Sequence, residues 1–260
     1  MRRFTACLAA ALVAGALSVS GPASAEQLAK PFTATKVIDL THEMHPGMAF
    51  WPGGVPFSMK RLVDYDKGYR LHSFTMGENT GTHVDAPGHF IKGKHAINEL
   101  PLKSLVVSAA VIDVKAKVAK NADYQATAAD VMAWEKAHGK IPAGALVILN
   151  TGWHKRFAAP KRYVNMDAGK IMHFPGYHPS AATLLVERNV VGIAIDTLSL
   201  DFGGSKTFAT HVIMLKANKY QIENLANLDA LPATGATVVV GVLPVRGGSQ
   251  AQARVIAFLP

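Results

Sequence analysis

The sequence predicts a β-rich α/β fold in a single domain. Apolar runs rich in valine, isoleucine and leucine recur along the chain and end at glycine, proline or asparagine, as is typical of strands. Two segments carry helix start and stop signals, and an apolar run follows each of them, which indicates helices layered on a sheet. No Gly/Ser-rich linker, low-complexity tract or repeat divides residues 30–260, so these elements belong to one domain.

The strands are predicted where the apolar runs stop at turn-forming residues. Side chains of this kind pack well on a pleated, half-buried surface. The predicted strands are Lys36–Leu40, Phe57–Val63, Leu71–Met76, Val106–Val114, Ala145–Asn150, Val190–Ile195, Thr237–Leu243 and Arg254–Phe258. Their order in the sheet does not follow from the sequence.

Two helices are marked by their ends. The segment Thr127–Asp130 is a capping box, and Gly139 closes the helix that it opens. Pro179 suits the first turn of a second helix, which runs to about Arg188 and stops at Asn189. With many strands and few helices, the sequence favours a sheet-dominated domain.

The composition is that of a globular protein with an ample core. Of 260 residues, 49% are hydrophobic and 17% are charged, which argues against disorder or a fibrous repeat. The single cysteine, Cys7, excludes a disulfide framework and a cysteine-based zinc site. The formal charge of +9 is spread over scattered lysines and arginines, so we expect no nucleic-acid partner and interpret the charge as favouring solubility.

The N-terminal segment has the pattern of an export signal. Arg2 and Arg3 precede the apolar stretch Ala6–Val19, and the small residues Ala23–Ala25 form a cleavage site. We therefore expect a signal peptide over residues 1–25, a domain over 26–260, and a periplasmic or secreted location. The arginine pair lacks the apolar pair of a twin-arginine signal, which favours the ordinary secretory route. No later segment reaches about 18 uninterrupted apolar residues, so no membrane partner is expected.

The stretch between residues 78 and 90 carries the densest chemistry. On an extended backbone His83 and Asp85 point to the same face, where an imidazole and a carboxylate can bind a divalent metal. The segment Ala86–His89 matches a type II turn, which would carry His89 back towards that pair. The residues alone leave the alternative of a tight turn with two unrelated histidines.

Several motifs resemble those of the cyclase family, the metal-dependent hydrolases that include kynurenine formamidase (arylformamidase) and isatin hydrolase. The segment Asn79–His89 resembles the family signature H-x-G-T-H-x-D-A-P-x-H. Asp39–His42 resembles its opening strand, and Gly192–Asp201 resembles its G-x-x-x-D-T-x-S-x-D segment. His211 and Glu223 resemble its H…E-N-L segment. The resemblance spans most of the chain and implies the swivelling β/β/α fold of that family.

The resemblance also implies roles for these residues. His83, Asp85, His211 and Glu223 would bind the metal, and Asp85 could bridge two ions. His89 would be the general acid or base beside the metal-bound water, since a histidine titrates near neutrality and can carry the proton.

One position departs from the family signature. The first signature histidine is Asn79 here, and an amide oxygen binds zinc less well than imidazole but suits harder ions such as manganese. We therefore expect manganese or zinc as one ion, or two ions with Asn79 as a weak ligand. The same departure leaves open the alternative that the protein is a non-catalytic exported binding protein.

The implied reaction is hydrolysis of an amide, cyclic imide or related C–N bond in a small, aromatic substrate. Family members often carry an aromatic residue in the loop that holds Phe50 and Trp51, and Phe90 follows His89, so these three residues are candidates for substrate contact. A lactone hydrolase of the same family is the alternative. The resemblance implies a homodimer or homotetramer.

Three polar residues of the second motif have structural interpretations. Asp196 and Asp201 are expected to cap turns or to orient metal ligands. Ser199 lacks the G-x-S-x-G context of a nucleophile, so we expect its hydroxyl to be hydrogen-bonded in a turn.

Overall fold

A β-sheet that closes on itself forms the centre of the computed structural model, which describes residues 34–260. The predicted signal peptide lies outside the described residues. The strands are β1 (Lys36–Asp39), β2 (Ser58–Val63), β3 (Leu71–Thr75), β4 (His83–Asp85), β5 (Val106–Asp113), β6 (Gln125–Ala126), β7 (Leu146–Asn150), β8 (Gly176–Tyr177), β9 (Gly192–Ile195), β10 (Tyr220–Glu223), β11 (Thr237–Val242) and β12 (Gln250–Leu259). The α-helices are α1 (Lys115–Val118), α2 (Ala128–His138), α3 (Pro160–Val164), α4 (Pro179–Glu187) and α5 (Ala209–Lys216).

The main sheet has eight strands in the order β1-β12-β11-β5-β7-β9-β10-β4, and β4 pairs with β12 to close the ring. Strand β12 makes this possible because one of its edges serves two partners. Its residues 250–252 pair with β4, and its residues 256–259 pair with β1. Strands β5, β7, β9 and β10 run parallel, and the helices between them are the crossovers that parallel strands require.

Apolar side chains pack on both faces of the closed sheet. Alternate residues of a strand face opposite sides, so Leu146 and Ile148 of β7 join one cluster while Val147 and Leu149 join the other. The first cluster takes side chains from every strand of the ring and forms its interior. The second packs under helices α2, α4 and α5 on the outer face.

Two small sheets lie outside the ring. Strands β2 and β3 form a hairpin that pairs with no other strand among residues 34–260, and β6 pairs with β8. Within the same residues no helix has the length and hydropathy needed to traverse a lipid bilayer.

The predicted fold class, a β-rich α/β domain, is confirmed, and each predicted strand and helix overlaps an observed one. The predicted strand Arg254–Phe258 is the second half of β12. Three observed elements that carry the candidate site, β4, β10 and α5, were not predicted from the sequence.

Candidate metal centre

The signature segment forms the short strand β4, which lies between β10 and β12. His83 is in register with Glu223 of β10, and Asp85 is in register with Gln221 of β10 and Gln250 of β12. Residues opposite each other in an antiparallel pair share a face, and so do residues two apart on one strand. His83, Asp85 and Glu223 therefore point to the same side of the sheet.

Helix α5 packs against β10 and brings a second histidine to this face. The Nε2 atom of His211 lies 3.1 Å from Oε1 of Glu223 and 3.4 Å from Oδ2 of Asp85. The Nε2 atom of His83 lies 3.2 Å from Oε2 of Glu223 and 3.3 Å from Oδ1 of Asp85. All four side chains are buried. The structure thus brings together two pairs of residues that are more than a hundred positions apart in the chain.

The other ring nitrogen of each histidine is held by a hydrogen bond. Nδ1 of His83 donates to the carbonyl oxygen of Gly81 at 2.8 Å, and Nδ1 of His211 donates to Oδ2 of Asp201 at 2.6 Å. Asp201 also accepts from the backbone N–H groups of Thr210 and His211, so one carboxylate fixes both the start of α5 and the ring of His211. These bonds aim both Nε2 atoms at the carboxylates, as ligand histidines require.

The two carboxylates are oriented by neighbouring strands and loops. Nε2 of Gln250 donates to Oδ1 of Asp85 at 2.7 Å, and the backbone N–H of Leu200 donates to Oε1 of Glu223 at 3.2 Å. Each carboxylate keeps its other oxygen directed at a histidine Nε2 atom.

The charges of the site are strongly coupled. Burial opposes the protonated form of His83, but the carboxylates of Asp85 and Glu223 outweigh it and raise the pKa of His83 to about 10. Burial likewise opposes charge on His211, yet Asp201, Asp85 and Glu223 raise its pKa well above 6.5. For Asp85, the two histidines outweigh burial and lower its pKa. In the metal-free protein, protons on the imidazoles therefore balance the buried carboxylates.

The donor set fits a divalent cation. Nε2 of His83 and Oδ2 of Asp85 are buried without a hydrogen-bond partner, although both lie within ion-pair distance of opposite charges. Buried polar atoms without a hydrogen bond are explained where an ion binds them. One ligand atom from each of His83, Asp85 and Glu223 lies within 4.8 Å of the others. Buried imidazole and carboxylate donors are the set that binds metals such as zinc and manganese.

Thr82, the residue before His83, ties the sequence motifs together. Its Oγ1 donates to the carbonyl oxygen of Asn224 at 2.6 Å and accepts from the backbone N–H of His42 at 3.0 Å. The amide of Asn224 in turn donates to the carbonyl oxygen of Gly81 at 3.0 Å. The signature segment is therefore locked to the opening strand and to the segment that supplies Glu223.

A cavity of about 220 Å³ opens beside the cluster of His83, Asp85, His211 and Glu223. Its polar lining comprises Asn79, His89, Ser199, His211, Glu223 and Gln250. Its apolar lining comprises Trp51, Phe90, Leu198 and Phe208. A cavity of this size, lined by polar side chains and by three aromatic rings, suits one small molecule.

Comparison with protein-family models decides the family. The model described as Cyclase matches residues 38–202, which is more than half of the chain and includes the signature segment. The chain belongs to the cyclase family. Among curated cyclase-family relatives, isatin hydrolase of Roseibium aggregatum is 33% identical over 211 residues, which is 77% of this chain and 80% of that protein. Kynurenine formamidase of Bacillus anthracis is 26% identical over 197 residues, which is 74% of this chain and 82% of that protein.

Solved structures of the family have the same fold. An isatin hydrolase bound to the product analogue thioisatinate aligns with a TM-score of 0.83 at 29% identity, covering 86% of this chain and 92% of that one. A potential metal-dependent hydrolase with cyclase activity aligns with a TM-score of 0.68 at 25% identity, covering 86% of this chain and 98% of that one.

His89, the predicted acid or base, lines the cavity beside the ligands. Its ring centroid lies 6.4 Å from that of His211. Burial, opposed by the nearby Asp85 carboxylate, lowers the pKa of His89 from 6.5. The predicted type II turn is wrong: Pro87–His89 is a 3₁₀ turn, and Gly88 does not have a positive φ.

Glycine is needed at position 88 for a close approach. The backbone N–H of Gly88 donates to the carbonyl oxygen of His95 at 2.8 Å, and a Cβ atom on Gly88 would lie 2.9 Å from that oxygen. The turn that presents His89 is therefore fixed by packing against the following loop.

The three aromatic candidates lie in different places. Trp51 and Phe90 line the cavity, and Phe90 stacks near His211 with 5.0 Å between ring centroids. Phe50 instead lines a separate apolar cavity of about 360 Å³ together with Pro160 and Met166. Trp51 and Phe50 therefore do not reach the same cavity.

The polar residues of the segment Gly192–Asp201 have different surroundings; they are Asp196, Ser199 and Asp201. Asp201 orients His211 and caps α5, as expected. Asp196 accepts hydrogen bonds from the backbone N–H groups of Thr151 and His154 and from Nδ1 of His154, which stabilises a turn. The expectation for Ser199 is wrong, because its buried Oγ has no hydrogen-bond partner among residues 34–260.

Three residues that line the cavity were not predicted from the sequence as site residues, namely Leu198, Phe208 and Gln250. Gln250 begins β12 and no motif marks it. Phe208 precedes α5 without any capping signal and has left-handed backbone angles, so helical spacing does not place its ring.

Proposed function

We propose that this chain is a metal-dependent hydrolase that cleaves an amide or cyclic-imide C–N bond of a small aromatic molecule. The observation that carries the proposal is the buried cluster of His83, Asp85, His211 and Glu223. Two of its members, His211 and Glu223, line a cavity that also contains His89 and three aromatic rings. The named activities of the isatin hydrolase and kynurenine formamidase relatives support the same reaction class.

His83, Asp85, His211 and Glu223 would hold manganese or zinc, as one ion or two, with Asn79 as a weak additional ligand. When bound, such an ion supplies charge that polarises a carbonyl group and lowers the pKa of a neighbouring water molecule. Mixed imidazole and carboxylate donors accept both metals. The amide of Asn79 on the cavity wall favours the harder ion, manganese.

Residues of the chain itself would transfer the proton and contact the substrate. His89 is neutral at neutral pH because burial lowers its pKa, so its imidazole accepts the proton of the attacking water. As the C–N bond breaks, the imidazolium gives that proton to the leaving nitrogen. Trp51 and Phe90 exclude water from the far side of the cavity and contact the aromatic part of the substrate.

Metal depletion and a substrate panel test this proposal. Protein treated with a chelator and then reloaded with manganese or zinc should lose and regain hydrolysis of isatin and of an N-formyl anilide. A lactone of similar size, measured at the same enzyme concentration, should be a poorer substrate. Hydrolysis that survives complete metal removal, or a clear preference for the lactone, would contradict the proposal.

We also propose that the protein is exported to the periplasm or secreted after removal of residues 1–25. The support is the sequence pattern of that segment. N-terminal sequencing of protein recovered outside the cytoplasm should begin at Glu26.

Finally, we propose a homodimer or homotetramer. Met59 and Phe74 are directly opposite each other in the hairpin β2–β3 and are exposed by 53% and 59%. A two-stranded hairpin is marginally stable alone, and adjacent exposed apolar side chains on one face are typical of interfaces.

A further inference from the structure

Phe208 has a backbone conformation that is unusual for its residue type. Its φ and ψ angles are 48° and 44°, which is the left-handed helical region. The other non-glycine residues with positive φ among residues 34–260 are asparagines and one lysine, namely Asn165, Lys170, Asn189, Asn218, Asn224 and Asn227. Asparagine tolerates this region, whereas a bulky aromatic residue is strained there. Such strain persists where the surroundings enforce it, and it is concentrated at functional sites.

Local hydrogen bonds and ring contacts hold Phe208 in place. Its backbone N–H donates to Oγ of Ser205 at 3.2 Å, and its carbonyl oxygen accepts from the N–H of Val212 in α5 at 3.0 Å. The ring centroid of Phe208 lies 6.1 Å from that of Trp51 and 5.7 Å from that of Phe90. The left-handed turn therefore directs the ring into the cavity as its third aromatic wall.

The position of this ring relates it to the metal ligands. Its centroid also lies 5.7 Å from that of His211, at an interplanar angle of 89°. A flat molecule whose carbonyl group lies beside His211 and Glu223 would place its ring among Trp51, Phe90 and Phe208.

The scarcity of charged side chains in the cavity lining restricts the class of substrate that can bind there. No lysine or arginine of residues 34–260 lines the cavity, and its one carboxylate, Glu223, is a candidate metal ligand. Once His211 and Glu223 are engaged by a metal, an ammonium or carboxylate group on the aromatic part of a substrate would have no side chain of opposite charge to pair with, and its desolvation would oppose binding.

We propose that Phe208 is a specificity-determining residue, which together with Trp51 and Phe90 selects substrates with an uncharged, flat aromatic ring. This inference rests on the proposed hydrolase function for its kinetic test, and on the cavity alone for its binding test. A residue of this kind changes substrate affinity while leaving the reacting groups intact.

Two variants separate the ring from the backbone conformation. Phe208→Asn removes the ring but keeps a residue type that this chain uses repeatedly at positive φ, and Phe208→Tyr keeps the ring. With isatin, Phe208→Asn should raise KM by about three- to tenfold, the size of a lost aromatic contact, with little change in kcat. Phe208→Tyr, which keeps the ring, should have the same KM as the wild type. The matched control is Val212→Ala, a partly exposed position of α5 that is outside the cavity lining.

A non-aromatic lactam distinguishes recognition of the ring from a general structural role. Pyrrolidine-2,3-dione presents the same α-keto lactam group as isatin without an aromatic ring, so its KM should be equal in Phe208→Asn and wild type. An equal rise of KM for both lactams would overturn the inference, because it would show a structural role. A wild-type preference for an N-formyl aromatic amino acid over an uncharged N-formyl anilide would overturn the charge selection.

Binding to metal-free protein makes the test independent of catalysis. Calorimetry with isatin should give a dissociation constant that Phe208→Asn raises by the same factor and Val212→Ala leaves unchanged. If wild type binds isatin in this Phe208-dependent way but hydrolyses nothing, the proposed function fails and the inference stands. If wild type hydrolyses isatin and neither binding nor KM responds to Phe208→Asn, the inference alone fails.

Discussion

His89 and His211 line the same cavity but lie in opposite electrostatic environments. His211 contacts three carboxylates, which raise its pKa despite burial. For His89, burial is the dominant effect, and its pKa is lowered from 6.5. At neutral pH a neutral His89 can accept a proton, while the Nε2 atom of His211 is committed to the ligand cluster. Proton transfer and metal binding are thus assigned to different residues.

Replacing His89 tests this division. In His89→Ala, turnover of a C–N substrate should fall by about a hundredfold or more, since a positioned acid–base group contributes about 10²–10⁴-fold. Metal content by elemental analysis should stay at the wild-type value, because the four proposed ligands are untouched. His95→Ala, at an exposed histidine of the following loop, is the control. Unchanged turnover in His89→Ala would place the base elsewhere.

The raised pKa of His83 predicts that metal binding depends on pH. His83 is protonated in the metal-free protein up to a pKa of about 10, so a metal ion must displace that proton. Between pH 6 and pH 8, the apparent affinity should rise by about tenfold per pH unit for each proton released. Calorimetry in buffers of different ionisation enthalpy measures the number released. Binding without proton release would contradict the assignment of His83 as a ligand.

The residues of the site were predictable only where a motif marks them. His83, Asp85, His211 and Glu223 stand in segments with characteristic neighbours, and the structure brings them together. Phe208 could not be found in this way, because its role depends on a backbone conformation that sequence periodicity does not encode.

Helix α5 is the element that completes the site from outside the sheet. It was missed because the polar and apolar residues of Ala209–Lys216 do not separate into two faces and because the segment has no polar N-cap. Strands β4 and β10 were missed because they are short and their outward residues are polar, namely His83 and Asp85 in β4 and Gln221 and Glu223 in β10. The function of these elements disrupts the hydrophobic pattern from which strands and helices are recognised.

The start of α5 depends on Asp201, which gives a prediction at the scale of the element. Asp201→Asn replaces one of the two acceptor oxygens with an amide nitrogen, which cannot accept, so only the bond from Thr210 or the bonds from His211 can be kept. It also removes the negative charge that holds Nδ1 of His211. We expect metal affinity to fall by about 10- to 100-fold, as is typical when a ligand histidine loses its carboxylate partner. Competition with a fluorescent chelator measures this affinity. Asp167→Asn, which breaks an exposed histidine contact away from the cavity, should leave it unchanged.

The molecule as a whole combines a closed ring with one hairpin that the ring does not pair. Ring closure leaves few free strand edges, so self-association through sheet edges is disfavoured. The hairpin β2–β3 follows Trp51 and leads back to Asn79, and its exposed face is the proposed subunit interface.

Charge on one face of the hairpin should disrupt the oligomer. Met59 and Phe74 are directly opposite each other, so Met59→Lys combined with Phe74→Lys introduces two like charges on a single face. Light scattering should then report a monomer where wild type gives a dimer or tetramer. Ser73→Lys, on the opposite face of the same hairpin, should keep the wild-type mass. A wild-type monomer would remove the oligomer proposal.

The last strand, β12, has a consequence for biosynthesis. It closes the ring against β4, and its residue Gln250 holds the carboxylate of Asp85. A ribosome conceals the most recently made part of a chain, so the closed ring cannot form until β12 has emerged from it. An ion that requires Asp85 to be held by Gln250 would then bind only after that point, and its identity would depend on the ions present where the ring closes.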